Sequence, residues 1–394
     1  MPWFFLSMLQ GLLAVPLGIT ARFTKNIPTL IFSILLLEEI RARFPFGGFS
    51  WTRIAFSQIE SPMSPLVAIF GMAGLSALTL LISFALLVKS YKIFTLLILL
   101  ALVVPFTLKD PKGTESIQVM AVQGGVPERG LEFNARAQAV LDNHIAQTRK
   151  SFSSNDDVII WPENSIDIDP IANDDVAEKI MRLTTELDRP LLAGAILDRP
   201  QLVNATILFN KKGSPTSIYL KRYLTPFGEY IPLRGIAAKV SSHVNRVEDF
   251  SPGNDLVLHR VSGAVIGSVI CYELLNDGLI REAASDANFL SVHTNSATFS
   301  GSNEGEQQLA ITRLRAIESG RSVVSISTTG PSAIIDRRGE VLLKLADGEV
   351  GSLSTAIELH EGRTMAHRLG GFSTFSVLLC ALVWALISRR RGVS

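Results

Sequence analysis

Three strings in this chain end apolar runs with a reactive group. Ile159-Ile160-Trp161-Pro162-Glu163 ends in a carboxylate, Tyr219-Leu220-Lys221 in an amine, and Ala264-Val265-Ile266-Gly267-Ser268-Val269-Ile270-Cys271 in a thiol. A thiol, a base and a cation are the parts of covalent acyl transfer. A cysteine attacks only as thiolate, which a neighbouring base and a neighbouring cation both favour. Burial of Glu163 beside Trp161 would raise its pKa and suit it to general-base work near neutrality. Lys221 would stabilise a developing oxyanion, and the backbone N–H of Tyr272 is placed to add a second donor. Each group also has a plain structural explanation: a buried core cysteine, a solvated loop acid, a surface lysine. Beyond Lys221, the Pro226-Phe227-Gly228-Glu229 segment makes a tight loop. Its Glu229 is either a second carboxylate facing the site or a loop acid paired with a nearby cation.

Such groups need rigid elements to hold them. Residues 116–124 alternate and stop at glycines, which predicts a first strand. A helix is expected over 132–151, a second strand over 158–160, and a helix over 174–187 opened by Asn173 or Asp174. Strands follow at 191–195 and 205–209, the latter turning through Lys211-Lys212-Gly213 into a strand that ends at Leu220. Further strands are expected at 264–270, 289–292, 322–327 and 332–336, with a long helix over 304–319. Strands alternating with helices argue for a layered α/β domain. Glu163, Lys221 and Cys271 each fall at a strand end.

The rest of the chain is apolar. Of its 394 residues 47% are hydrophobic and 19% charged, and the mean hydropathy is +0.31, too high for an ordinary soluble enzyme. The net charge of +1 gives no bulk electrostatic reason to bind nucleic acid. The six histidines are scattered, with no metal-ligand spacing, and no cofactor motif is present. Uncharged stretches cover 1–21, 26–37, 65–88, 93–108 and 369–388. The first, third and fifth are long enough to span a bilayer, the fourth is marginal, and the second is short, leaving its spanning open. The first lacks the basic start and cleavage site of a secretory signal. The expected organisation is a membrane region over 1–108, an extracytoplasmic domain over 109–368, and a C-terminal transmembrane helix with a basic tail over 369–394. Arg389-Arg390-Arg391, Lys89 with Lys92, and Arg22 with Lys25 then lie on the cytoplasmic side. Arg41, Arg43 and Arg53 fall outside and count against this topology. In a bacterium the middle domain would face the periplasm. Cys380 lies in the last span, so Cys271 has no disulfide partner within its domain, and an idle thiol is a liability in an oxidising compartment.

Taken together, the strings Trp161-Pro162-Glu163, Tyr219 through Pro232 and Val269-Ile270-Cys271-Tyr272-Glu273 resemble those of the nitrilase (carbon-nitrogen hydrolase) superfamily, and within it the apolipoprotein N-acyltransferases. Lys221 to Glu229 matches that family's loop spacing without a gap, with Tyr223 where the family has histidine. The resemblance extends to Val122-Gln123-Gly124, Arg313 through Glu318 and Thr328-Thr329-Gly330, and upstream to Phe44-Pro45-Phe46, Phe56-Ser57-Gln58 and Gly71 through Ser76. It implies an αββα sandwich outside a small bundle of transmembrane helices in the bacterial inner membrane. It also implies a catalytic triad of Glu163, Lys221 and Cys271, supported by Glu229, Tyr272 and Glu273. The implied reaction moves an acyl group from a phospholipid to Cys271, then to the amine of a lipoprotein. The membrane region is shorter than the family's, and three sequences depart from its pattern: Leu131-Glu132-Phe133, Asn295 through Phe299, and Gln307-Gln308. Shortened proteins of this kind also resemble the TraB proteins of plasmid conjugal transfer, which brings conjugal machinery in as a partner.

Three functions fit these residues. The first is a membrane acyltransferase, either in lipoprotein maturation or in conjugal transfer. The second is a membrane-tethered amidase or nitrilase, with water as acceptor. The third is a non-catalytic component of a transfer or envelope assembly, for which the altered Asn295–Phe299 loop is the motive.

Overall fold

The structure, a computed structural model, describes residues 2–107, 113–127, 133–198, 200–240, 244, 248–299 and 301–390. The chain forms two compact units, Met1–Asp110 together with Thr364–Ser394, and Pro111–Arg363. The first begins with four helices, α1 (Pro2–Phe23), α2 (Ile27–Arg41), α3 (Val67–Leu87) and α4 (Tyr91–Thr107).

The second unit carries, among the described residues, twelve strands and five helices. In chain order these are β1 (Gly113–Gln123), α5 (Phe133–Ser151), β2 (Val158–Ile160), α6 (Asp174–Leu187), β3 (Leu191–Leu197), β4 (Val203–Phe209), β5 (Pro215–Leu220), α7 (Arg234–Val240), β6 (Leu258–Val261), β7 (Ala264–Ile270), α8 (Asp277–Asp286), β8 (Phe289–Thr294), α9 (Glu304–Ser319), β9 (Ser322–Ser327), β10 (Ser332–Ile335), β11 (Val341–Leu345) and β12 (Gly351–His360). They form two six-stranded sheets of matching design, ordered β12-β1-β2-β3-β4-β5 and β11-β10-β9-β8-β7-β6. Each has three central parallel strands, β1-β2-β3 and β9-β8-β7, joined through helices and flanked by antiparallel neighbours.

Burial on both faces explains why the parallel strands read as continuous apolar runs. Alternate residues face opposite ways. Val119, Ala121, Val158 and Ile160 share a core with Ile266, Phe289, Val324 and Ile334 from the other sheet. Met120, Val122, Ile159 and Trp161 instead pack with Leu141 and Ile145 of α5 and Val176, Ile180 and Leu183 of α6. This is the αββα sandwich. Helix α6 starts where expected: the Asn173 side chain accepts from the Val176 N–H at 3.1 Å, a cap that stabilises a helix by about 1 kcal/mol.

The structure adds three strands that sequence pattern did not show. The edge strand β12 buries Leu353, Ile357 and Leu359, but Ser354, Thr355 and Glu358 between them are polar and exposed or half-buried. Such an edge carries a weak hydrophobic signal. Strands β6 and β11 are short, and both lie at the free edge of their sheet.

The first unit is completed by α10 (Met365–Leu369) and α11 (Gly371–Arg390). Ile31 and Leu35 of α2, Ala77, Leu81 and Phe84 of α3, and Val377, Leu378 and Ala381 of α11 pack together. Among the described residues, two helices are long and apolar enough to cross a membrane, Ser64–Leu87 and Gly371–Arg390. Residues 27–37 belong to α2, which Asn26 caps and whose last turns carry buried Glu38 and Glu39. Glu39 pairs with Arg53 at 3.0 Å and also with Arg43, so two of the arginines that weighed against the expected topology are ion-paired.

Candidate active site

Glu163 follows β2 by three residues and is 5% exposed. The strand's hydrogen bonding runs on through Trp161 N–H to the Leu192 carbonyl at 2.9 Å. The chain then turns, with Asn164 in the left-handed region at φ +56°. This turn lies directly on β3. A Cβ at Gly194 would meet the Pro162 carbonyl oxygen at 2.4 Å and the Glu163 Cα at 2.6 Å, so only glycine lets the backbone of Glu163 approach this closely. Trp161 faces the helices rather than the carboxylate, its indole donating to Thr148 at 2.9 Å.

Lys221 is the first residue past β5 and is 1% exposed. Its N–H donates to the Asn204 carbonyl and its own carbonyl accepts from Gly253, both at 2.8 Å. Cys271 is the first residue past β7 and opens a 3-10 turn, Cys271–Leu275. Its φ is +49°, a left-handed conformation that costs a residue with a Cβ about 1–2 kcal/mol.

These strand ends meet at one end of the interlayer. Lys221 Nζ lies 2.8 Å from Glu229 Oε2 and 3.3 Å from Glu163 Oε1. The Asn204 amide on β4 donates to both acids, at 2.8 Å to Glu163 Oε1 and 2.8 Å to Glu229 Oε1. The Thr225 N–H completes the Glu229 shell at 2.7 Å.

This arrangement separates the two carboxylates. Burial raises the pKa of Glu163, and the Glu229 charge adds to the rise, against the Lys221 charge and the Asn204 hydrogen bond. For Glu229 burial is outweighed by the Lys221 ammonium and by hydrogen bonds from Lys221, Asn204 and Thr225, so its pKa falls. Lys221 is held protonated, its burial overcome by the Glu163 and Glu229 charges. Burial pushes the Cys271 thiol up. The Glu163 and Glu229 charges push the same way and Lys221 opposes them. At neutral pH the thiol is therefore a neutral S–H that needs a base, and Glu163 is the acid whose proton affinity is raised.

A family model described as carbon-nitrogen hydrolase matches residues 120–367. The chain belongs to the carbon-nitrogen hydrolase family. A second model, the apolipoprotein N-acyltransferase N-terminal domain, matches residues 1–85. Together they make the chain an apolipoprotein N-acyltransferase-like member of the nitrilase superfamily. An apolipoprotein N-acyltransferase of Mycolicibacterium smegmatis is 35% identical over 69% of this chain and 48% of its own length. One from Geobacter metallireducens is 27% identical and covers 100% of this chain and 82% of its own. The chain thus spans about half the length of the first relative and most of the second. Among solved structures, an amidase of the nitrilase superfamily from Nesterenkonia AN1 superposes with a TM-score of 0.51 and 16% identity, over 68% of this chain and 98% of that one. That likeness establishes the fold.

Glu273 joins the two sheets at the site. It is fully buried. Its Oε1 accepts from Tyr219 Oη at 2.8 Å, Arg222 N–H at 2.7 Å and Tyr223 N–H at 3.2 Å, and its Oε2 accepts from Ile270 N–H at 2.9 Å. One carboxylate therefore ties the Tyr219 side chain and the backbone just after Lys221 to the residue before Cys271. Tyr272 is half-buried, its hydroxyl pKa pushed up to about 12, chiefly by burial.

Sequence reasoning missed Asn204 and Glu304. Asn204 shares a strand face with Thr206 and Leu208, and Leu208 is in the inter-sheet core. A polar pair at inward positions was the available signal. Glu304 opens α9 with Oε2 buried and without a hydrogen-bond partner among the described residues. Its charge also acts on Cys271. The altered Asn295–Phe299 loop reaches the Glu163 turn, since Asn295 donates to Asn164 Oδ1 at 3.4 Å and accepts from Thr328 at 2.8 Å. Leu131 and Glu132 lie outside the described residues, and only the backbone of Phe133 is described. Gln307 and Gln308 lie on α9, with Gln308 buried.

Proposed function

We propose that this chain is a membrane acyltransferase that carries an acyl group from a phospholipid ester to an amine through an S-acyl enzyme on Cys271. The observation that supports it most is the Lys221 ammonium held between two carboxylates that Asn204 bridges, beside a half-buried neutral thiol at a strained strand end. Glu163 takes the Cys271 proton, and the sulfur attacks the ester carbonyl. The tetrahedral oxyanion forms against the Lys221 ammonium and the Tyr272 backbone N–H. The C–O bond then breaks, Glu163 returns the proton to the leaving oxygen, and a lysophospholipid departs. An amine attacks the thioester and gives a proton to Glu163. The C–S bond breaks and Glu163 reprotonates the thiolate. Glu229 keeps Lys221 charged throughout, leaving Glu163 as the acid that gains and loses protons.

The relatives reported above are named apolipoprotein N-acyltransferases, which favours a lipoprotein amine as acceptor and the bacterial inner membrane as location, with the catalytic unit periplasmic. None of them supports the conjugal-transfer reading. Two measurements test the proposal. Incubation of the purified full chain with phospholipid is expected to add one acyl mass to the Cys271 peptide of wild type and none to Cys271→Ala. Wild type, and not Cys271→Ala, is expected to rescue a strain depleted of its own apolipoprotein N-acyltransferase. Ammonia release from a small amide without lysophospholipid would move the assignment to an amidase with water as acceptor. Full rescue by Cys271→Ala would leave only a non-catalytic role.

A further inference from the structure

Glu163 and Cys271 belong to different sheets, yet a general base must sit within hydrogen-bond reach of the thiol it serves. Glu273 ties the Cys271 strand to the Lys221 strand and makes no bond to the Glu163 strand. A second tie does. His293 on β8 is fully buried. Its backbone is in register with Ile270, the residue immediately before Cys271. Its ring crosses the interlayer, where Nδ1 lies 2.8 Å from the Trp161 carbonyl oxygen, two residues before Glu163. A carbonyl only accepts, so Nδ1 carries the proton and donates. Burial lowers the imidazole pKa to about 4, against the pull of that hydrogen bond, so the ring is a neutral, fixed strut at neutral pH.

Resting on the general-base reading above, we propose that His293 is a positioning residue that fixes the separation of Glu163 from Cys271. It touches neither reacting group. It acts by anchoring the strand end that bears the base to the strand pair that bears the nucleophile. A core histidine with a satisfied hydrogen bond, and no more than that, would contribute stability alone. The two roles separate by where a substitute places its donor. Asn puts an amide N–H at the position of Nδ1, whereas Gln puts one farther out, near Nε2. Both are polar, and Asn, one methylene shorter, leaves the larger void where the ring was.

The test is the rate at which iodoacetamide labels Cys271 in the full-length protein across neutral pH, read from the Cys271 peptide. Cys271 is a neutral thiol at these pH values, so its alkylation needs the base that takes the proton as sulfur attacks, and needs no lipid or acceptor. Thermal melting is followed in parallel. His293→Gln is expected to slow Cys271 labelling at neutral pH by about tenfold or more, the scale of a misplaced catalytic group. His293→Asn is expected to stay within about threefold of wild type, although its larger void makes it the lower-melting of the two. Equal rates for His293→Asn and His293→Gln, whether both low or both normal, would overturn the inference. Glu163→Gln supplies the reference. Labelling that it leaves unchanged or speeds overturns the general-base reading and this inference with it. Labelling that it slows, and His293→Gln does not, overturns this inference alone.

Discussion

Glu229 Oε2 lies 2.8 Å from Lys221 Nζ, closer than the 3.3 Å to Glu163 Oε1. The nearer carboxylate holds the lysine's charge, and the farther one is left with its proton affinity raised. Two acids of one type thereby take different parts, through neighbours alone.

Glu229→Gln removes a charge that raises the Glu163 pKa and leaves Lys221, which lowers it, as the dominant charged neighbour. The Glu163 pKa therefore falls. Activity requires the ionised base, so the acid limb of the pH–rate profile is expected to move to lower pH. The plateau falls because the base is weaker, by on the order of 10²-fold. Acyl-enzyme formation on Cys271 across pH measures both. A limb that stays in place would show that Glu229 does not set the proton affinity of Glu163.

Asn204→Asp moves the limb the other way. The substitution replaces a donor shared by Glu163 and Glu229, at 2.8 Å to each, with a third acid. Glu163 loses a hydrogen bond that favours its charge and gains a like charge beside it. Both changes raise its pKa. The acid limb is expected to shift to higher pH, and the neutral-pH rate to fall by about 10²-fold or more. Opposite shifts in Asn204→Asp and Glu229→Gln form a signature that general destabilisation does not produce.

Much of this architecture was legible because burial on both faces makes strong local patterns. The limits of β7, 264–270, and of α6 and α9 come directly from the apolar runs and caps, and each candidate residue falls at a strand end as expected. The partners of those residues were not legible. Asn204 and Lys221 are seventeen positions apart, and only the β4–β5 register places Ala205 opposite Leu220 and so brings them together. Glu229 left two roles open in the sequence, and its distance to Lys221 makes it an acid facing the site and paired with a cation at once. The roles of Glu273 and His293 depend on how one sheet stacks on the other, which no local pattern encodes.

Glu273→Gln is expected to fail for a geometric reason. Three donors converge on Oε1 and the Ile270 N–H on Oε2. An amide supplies one oxygen, so its NH2 must face a donor, leaving at least one buried N–H unpaired. That costs about 1–3 kcal/mol. Melting temperature and Cys271 acylation are expected to fall together, because the same carboxylate fixes the backbone at both Lys221 and Cys271. A stable Glu273→Gln with normal acylation would show that the two loops hold their positions without it.

Glu163→Gln is expected to do the opposite to stability. The folded-state pKa of Glu163 is raised, so its favourable contribution is present below the unfolded value and is lost as pH rises through the folded value. At neutral pH the ionised carboxylate is a net burden on the fold, retained next to the thiol. Gln keeps an oxygen for the Asn204 amide, and Lys221 keeps Glu229 at 2.8 Å. The substitution is therefore expected to raise the melting temperature at neutral pH by a few degrees, roughly the effect of 1 kcal/mol in a domain of this size. The gain is expected to shrink as pH falls, while acylation drops by about 10²-fold or more. Melting curves of wild type and Glu163→Gln at neutral and mildly acid pH decide it. A variant that melts lower at neutral pH would mean that the Lys221 contact outweighs burial, and that Glu163 rests as a stabilised ion pair rather than as a base poised to take a proton.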